Sequence, residues 1–287
     1  MRVAYVCADP GIPVFGRKGA SIHVQEVVRA LRKLGCDVEL FVARLDGAVP
    51  PGLEGLRIHR LPVPIKGLDA AAREQAALAA NDSLTLALER STAFDFVYER
   101  YSLWSWAGMA FAQAQGIPGV LEVNSPLIEE QRRHRQLHHT VEAERVARDA
   151  FGAATAIVAV SDAVARYVES VPGAAGRVHV VPNGVDVDRF AAAETPLLPN
   201  ADRDFVVGFV GTLKAWHGME TLVDAFSCVN DHLPHARLLI VGDGPLREAL
   251  TAQLTRNGCL DRATFTGAVE HDAVPGWLAS MDVAVAP

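Results

Sequence analysis

Residues 206–226 read VVGFVGTLKAWHGMETLVDAF, an apolar strand and an amphipathic helix joined by a short polar loop. Val206, Val207, Phe209 and Val210 run into Gly211, and Met219, Leu222, Val223, Phe226 and Val229 then recur at i, i+3, i+4, i+7 and i+10, the period of a helix with one buried face. A glycine turn that feeds a helix N-terminus presents backbone N–H groups and the positive end of the helix dipole, a natural phosphate site. Lys214 adds a cation, Thr212 a hydroxyl donor, and His217 a ring that can be cationic beside a diphosphate. The bland reading is an exposed loop with Trp216 packed on the surface.

Similar junctions recur. Val241-Gly242-Asp243-Gly244-Pro245-Leu246 joins a strand to a helix but lacks G-x-G-x-x-G spacing, which weakens a dehydrogenase reading. Phe265-Thr266-Gly267-Ala268-Val269 ends another strand, and both segments also read as plain turns. Gly16-Arg17-Lys18-Gly19 precedes the first helix, at the C-terminal end of a parallel strand, where open α/β sheets bind ligands. Its alternative is a flexible connection that needs glycine for positive φ. Arg100, Glu122 and Asn124 stand where later strands end, so Arg100 and Asn124 should point into one crevice; turn capping is the alternative for Asn124.

These positions require an alternating strand–helix order, hence parallel sheets with helices on both faces. Strands are expected at Arg2–Ala8, Val38–Ala43, Leu56–Leu61, Phe94–Glu99, Gly119–Val123, Ala156–Val160 and Val178–Val181. Between them the pattern gives helices after Gly19, over Ala70–Arg90, over Leu103–Gln115, as one long helix from Pro126 to about Phe151 with Ser125 as its cap, and over Asp162–Val171 capped by Ser161. Residues 190–203 carry two prolines and a triple alanine and read as a linker, separating a first domain (1–189) from a second (204–287) of strand Ala236–Val241, helix Pro245–Asn257, strand Ala263–Thr266, helix Asp272–Ser280 and strand Asp282–Ala286.

Composition narrows the function. Half of the 287 residues are hydrophobic, which argues against disorder, and a net charge of −7 argues against a nucleic-acid binder. The four cysteines form no CxxC pair and fit small buried residues in a reducing compartment. No run of eighteen apolar residues and no leader pattern is seen, so the expected location is cytoplasmic. His134 and His138 share the spacing of a helical metal pair, without an HExxH context, and a solvated face is the default. Arg132, Arg133 and Arg135 nearby form a basic strip for a lipid-linked acceptor or the inner membrane face, diluted by Glu129, Glu130, Glu142 and Glu144.

Taken in order, these motifs resemble those of the GT-B-fold retaining glycosyltransferases of family 4, two Rossmann-like doubly wound domains. The resemblance spans nearly the whole chain: Tyr98-Glu99-Arg100-Tyr101-Ser102, Glu122-Val123-Asn124, Val160-Ser161-Asp162, Pro182-Asn183-Gly184-Val185-Asp186, and the loop at Gly211. It implies a donor-diphosphate site at Gly19, Gly211, Thr212, Lys214 and His217, nucleotide contacts at Gly242, Asp243, Gly244 and Val269, and acceptor contacts at Arg100 and Glu122. Chemistry is expected in a cleft between the domains, with no metal cofactor. The sequence departs from the family pattern at Thr212, where Arg is usual, at His217, where Lys is usual, and at Asn124, where many members carry His. Asn124 can orient a sugar hydroxyl but not act as a general base. Asp186-Val187-Asp188 matches the metal motif of the other glycosyltransferase fold and is read as coincidence. A Glu, seven residues, Glu motif and a closing helix would follow Pro287 in the family, so the second domain is expected to be incomplete and the chain truncated. The alternatives are a nucleotide-sugar epimerase of the same fold and a catalytically impaired binding protein.

Overall fold

The structure of the protein, a computed structural model, describes residues 1–63, 67–134, 136–191, 195–198 and 204–287. The chain divides into two units, Met1–Gly184 and Val185–Pro287. Unit one runs β1 (Arg2–Cys7), α1 (Gly19–Lys33), β2 (Asp37–Val42), β3 (Arg57–Arg60), α2 (Ala70–Arg90), β4 (Phe96–Arg100), α3 (Ala107–Gln115), β5 (Gly119–Val123), α4 (Leu127–His134), α5 (Thr140–Ala153), β6 (Ala156–Ala159), α6 (Asp162–Glu169) and β7 (Val178–Val180). Its strands form one parallel sheet in the order β3-β2-β1-β4-β5-β6-β7.

Central β1 is buried on both faces, as a parallel strand between helical layers must be. Val3, Tyr5 and Cys7 pack with Val24 and Val28 of α1. Ala4 and Val6 face the opposite way, toward Leu84 and Leu88 of α2, Met109 of α3 and Phe151 of α5. The winding direction reverses between β1 and β4, and the C-terminal ends of those two strands therefore flank the natural ligand crevice of such a sheet.

Two departures of the helices from the sequence reading trace to α2. The helix expected from Leu103 starts at Ala107, where Asn81 of α2 caps it. Asn81 Oδ1 accepts from the Trp106 and Ala107 N–H groups (2.9 and 3.0 Å), and its Nδ2 donates to the carbonyls of Leu78 and Trp104 (2.8 and 2.7 Å). The single helix expected over 126–151 is two, α4 and α5. The Glu74 carboxylate of α2 accepts from the N–H groups of His138 (3.1 Å) and His139 (2.9 Å) and from His139 Nδ1 (2.9 Å), which starts α5. His134 and His138 consequently do not belong to one helix, α4 begins at Leu127 rather than Pro126, and Arg135 lies outside the described residues. Ser161 does cap α6, accepting from the Val164 N–H at 3.3 Å.

Unit two contains α7 (Val187–Ala191), β8 (Phe205–Val210), α8 (Met219–His232), β9 (Ala236–Val241), α9 (Arg247–Arg256), β10 (Ala263–Gly267), α10 (Val274–Leu278) and β11 (Val283–Ala284), with a parallel sheet ordered β10-β9-β8-β11. Leu238 and Ile240 pack against Met219, Val223 and Phe226 of α8 and Leu250 and Leu254 of α9. On the other face, Val206, Leu239 and Val241 meet Trp277 and Met281. The last helix and strand are shorter than expected. The residues read as a linker are partly structured: α7 extends to Ala191, and the Leu197 and Leu198 N–H groups donate to Ser280 Oγ (2.8 and 3.0 Å). Residues 192–194 and 199–203 of that stretch lie outside the described residues. Among the described residues no helix is long and apolar enough to cross a membrane.

Asn81→Ala removes a buried cap together with its two donor bonds, and we expect it to lower the unfolding free energy by about 2–3 kcal/mol. Urea titration checks this against Asp82→Ala on the exposed side of α2, expected to change stability by less than about 0.5 kcal/mol. Equal effects would contradict the capping role.

Candidate active site

In unit one the polar centre is Glu122, near the end of β5, only 2% exposed. Its Oε1 accepts from His23 Nε2 of α1, from Asn124 Nδ2 (2.5 Å) and, at 3.5 Å, from Arg100 Nη1; its Oε2 accepts from the Tyr98 hydroxyl (2.9 Å). Burial alone would push this carboxyl's pKa up, but the His23 hydrogen bond and the charges of His23 and Arg100, with the Asn124 amide, outweigh it and hold it below its usual value. Tyr98 is shifted upward, by burial first and by the Glu122 charge second. Because a carboxylate only accepts, His23 Nε2 and Asn124 Nδ2 must both present N–H to it. The Asn124 amide is thereby oriented with its carbonyl oxygen turned away from Glu122.

Glu122 was expected to contact an acceptor. Enclosed by protein donors, it instead positions the groups that can. Arg100 and Asn124 line an open depression together with Asp9, Ile12, Tyr101 and Ser125, at the ends of β1, β4 and β5. Sequence reasoning missed Asp9, His23 and Tyr98. Their signals were faint: Asp9 directly follows β1, His23 borders the apolar stripe of α1, and Tyr98 alternates with buried residues in β4.

Gly19 opens α1, whose first turn has no side-chain cap, and a Cβ at Gly19 would meet nothing within 4 Å. The loop before it is pinned by buried Gln25, whose Nε2 donates to the carbonyls of Val14 (2.8 Å) and Gly16 (3.0 Å). Lys18 Nζ donates to the Gly11 carbonyl at 3.1 Å. On the other face of the sheet, the fully buried Glu99 accepts from the Ser105 hydroxyl, while its Oε2 has no hydrogen-bond partner. Gly108 makes room for it: a Cβ there would lie 2.3 Å from that oxygen. Burial raises the Glu99 pKa from 4.5 to about 7, against the lowering by Ser105 and the Met109 N–H.

In unit two the loops after β8 and β9 are stitched through their backbones. Gly211 N–H donates to the Val241 carbonyl (2.9 Å), Leu213 N–H to the Asp243 carbonyl (3.0 Å), and Leu246 N–H to the Leu213 carbonyl (3.3 Å). Only glycine permits this approach. A Cβ at Gly242, where φ is +138°, would lie 1.9 Å from the Gly211 oxygen, and one at Gly244 would lie 2.5 Å from the Leu213 oxygen. The Gly211 N–H, expected to face a diphosphate, is thus already committed to the chain, and Gly211 serves the loop's shape. Thr212 is exposed, followed by a 3₁₀ turn (Ala215–His217) and Gly218, at φ +62°, before α8. Lys214 Nζ sits 4.7 Å from the centre of the half-exposed Trp216 ring. His217 Nδ1 donates to the Thr212 carbonyl (2.6 Å), leaving Nε2 available. Asp243 Oδ1 accepts from the Gly244 N–H (2.8 Å), and Val269 packs partly buried against the β8–β9 core.

Unit two thus has a glycine loop stitched through its backbone after a parallel strand, and unit one a polar depression at the switch point of its sheet. Residues 17–189 match the family model described as Glycosyltransferase Family 4, and residues 204–287 match Glycosyl transferases group 1. The chain belongs to glycosyltransferase family 4. It is 30% identical to the 2-deoxystreptamine glucosyltransferase of Streptomyces kanamyceticus, over 93% of this chain and 74% of that protein. To the D-inositol 3-phosphate glycosyltransferase of Xylanimonas cellulosilytica it is 28% identical, over 94% of this chain and 69% of the relative. Sucrose-phosphate synthase from Thermosynechococcus elongatus has the same fold, with a TM-score of 0.72 at 20% identity over the whole chain and 75% of that structure. The protein is therefore a GT-B glycosyltransferase of the nucleotide-sugar-dependent kind. Of the basic strip on α4, Arg132 is paired with Glu144 (2.6 Å), so it presents less charge than its sequence implies.

Glu99 supplies a pH test. Its folded pKa lies above its unfolded value, so between pH 4.5 and about 7 the native state keeps a proton that the unfolded chain releases, and stability falls as pH rises through that window. Glu99→Gln removes this dependence. Relative to wild type, the variant should gain about 3 kcal/mol between pH 4.5 and pH 8 in urea unfolding. A difference that stays constant with pH would show that Glu99 does not ionise there.

Proposed function

We propose that the enzyme moves a sugar from a nucleoside-diphosphate sugar to a hydroxyl of a polyhydroxylated acceptor, with retention at the anomeric carbon and without a metal ion. The observation that carries this reading is the stitched pair of glycine loops after β8 and β9, with Lys214, Thr212 and the free Nε2 of His217 on the outer one. Lys214 and His217 would neutralise the departing diphosphate, an electrostatic role that otherwise calls for a metal. Gly242, Asp243, Gly244 and Val269 would flank the nucleotide. The uncapped first turn of α1 at Gly19 offers further N–H donors to phosphate.

Arg100 and Asn124 would hold the acceptor, with Glu122 behind them. In the reaction the acceptor oxygen bonds to the anomeric carbon as the bond from that carbon to the diphosphate oxygen breaks. The electron pair leaves with the diphosphate, and the hydroxyl proton passes to a diphosphate oxygen on the same face. Asn124 cannot take that proton, which favours transfer to the leaving group. The S. kanamyceticus relative is named for an aminocyclitol acceptor and the Xylanimonas relative for an inositol phosphate, both cyclitols but of opposite charge.

Calorimetry with UDP-glucose, GDP-mannose and the corresponding free nucleosides tests the donor loop. Lys214→Ala should weaken nucleoside-diphosphate binding about tenfold or more, as loss of one charged hydrogen bond predicts, while nucleoside affinity stays the same. Equal weakening of both, or no nucleotide binding by the wild type, would overturn the proposal. Inversion of the anomeric configuration in a transfer product, read by NMR, would overturn retention.

A further inference from the structure

We propose that the depression at the ends of β1, β4 and β5 selects an acceptor bearing an amine, with Asp9 as the partner of its ammonium group. The inference rests on the glycosyltransferase reading above and deepens it by assigning the charge class of the acceptor. It follows from the charges around the depression. Arg100 is matched by Glu122, which is held as a carboxylate behind it. Asp9 is not matched: its Oδ1 accepts from the Gly11 N–H at 2.7 Å, and among the described residues no cation forms an ion pair with it. The ammonium of Lys18, on the same loop, is turned to the Gly11 carbonyl instead.

The hydrogen-bonding character of the lining agrees with the charge. Asn124 gives one amide N–H to Glu122, which leaves its carbonyl oxygen as an acceptor and a second N–H. Asp9 can only accept, and the Asn124 carbonyl and the Ser125 hydroxyl can accept as well. Such a lining matches a ligand rich in donors. An ammonium group against Asp9 makes a charge-assisted hydrogen bond, and neighbouring hydroxyls donate to Asn124 and Ser125. A phosphomonoester in the same place sets like charges side by side, with Arg100 already shared with Glu122. The protonated amine has no lone pair, so it anchors the acceptor while a hydroxyl reacts.

Calorimetry at pH 7 on the 287-residue chain, with three cyclitols as probes, tests this. The probes are 2-deoxystreptamine (two amines), myo-inositol (neutral) and myo-inositol 1-phosphate (anionic). Wild type should bind 2-deoxystreptamine at least tenfold more tightly than myo-inositol, with the phosphate weakest. Asp9→Asn should close the gap between the first two. The ranking on wild type stands by itself if the variant misfolds. Tightest binding of the phosphate, equal 2-deoxystreptamine affinity in wild type and a folded Asp9→Asn protein, or no cyclitol binding at all would overturn the inference. A parallel titration with UDP-glucose and GDP-mannose separates the failures: nucleotide binding with a contrary cyclitol ranking sinks the amine selection alone, whereas absence of nucleotide binding sinks the donor reading beneath it.

Discussion

A carboxylate at 2% exposure cannot remain ionised unless donors replace the water it has lost, and Glu122 is the group on which unit one's site is organised. Its donors come from α1, from β4 and from the turn beyond β5, so satisfying one charge fixes three elements to one another. The start of α1, the guanidinium of Arg100 and the amide of Asn124 all take their orientation from it. Groups that meet solvent are thus set by a group that is almost wholly withdrawn from it.

Unit two builds its loop differently. There the ordering groups are peptide units, and close backbone approach at Gly211, Gly242 and Gly244 replaces a side-chain hub. Diphosphate is large and highly charged, and a loop stripped of Cβ atoms can bring dipoles close to it. The same stitching commits the Gly211 and Leu213 N–H groups to the chain, so that the loop offers its surroundings the side chains of Thr212, Lys214 and His217 instead.

What could be read from the sequence was what neighbouring residues decide. β5, β9, α2 and the start of α8 at Met219 lie where apolar pattern and glycine punctuation put them, because residues near in the chain determine each. Ser161 caps α6 because its hydroxyl oxygen and the Val164 N–H that donates to it are three residues apart. The reading failed where the deciding group is far along the chain. The start of α3 depends on Asn81 and the break before α5 on Glu74, and neither leaves a trace near residue 107 or 140. Glu122 illustrates the same limit at the site: its residue type and its place near a strand end suggested a ligand contact, and only its four surrounding donors reveal a supporting role. Asp9 carries no periodic or motif signal, because an unpaired carboxylate is defined by what fails to approach it.

The two caps supplied by α2 also have a direction in time. Residues 74 and 81 leave the ribosome before residues 107 and 140, so each docking point exists before the helix that will begin on it has been synthesised. A chain growing from its N-terminus meets a template for α3 and then for α5 in the order in which it needs them. Chemical refolding, in which all segments are released at once, provides no such sequence of events.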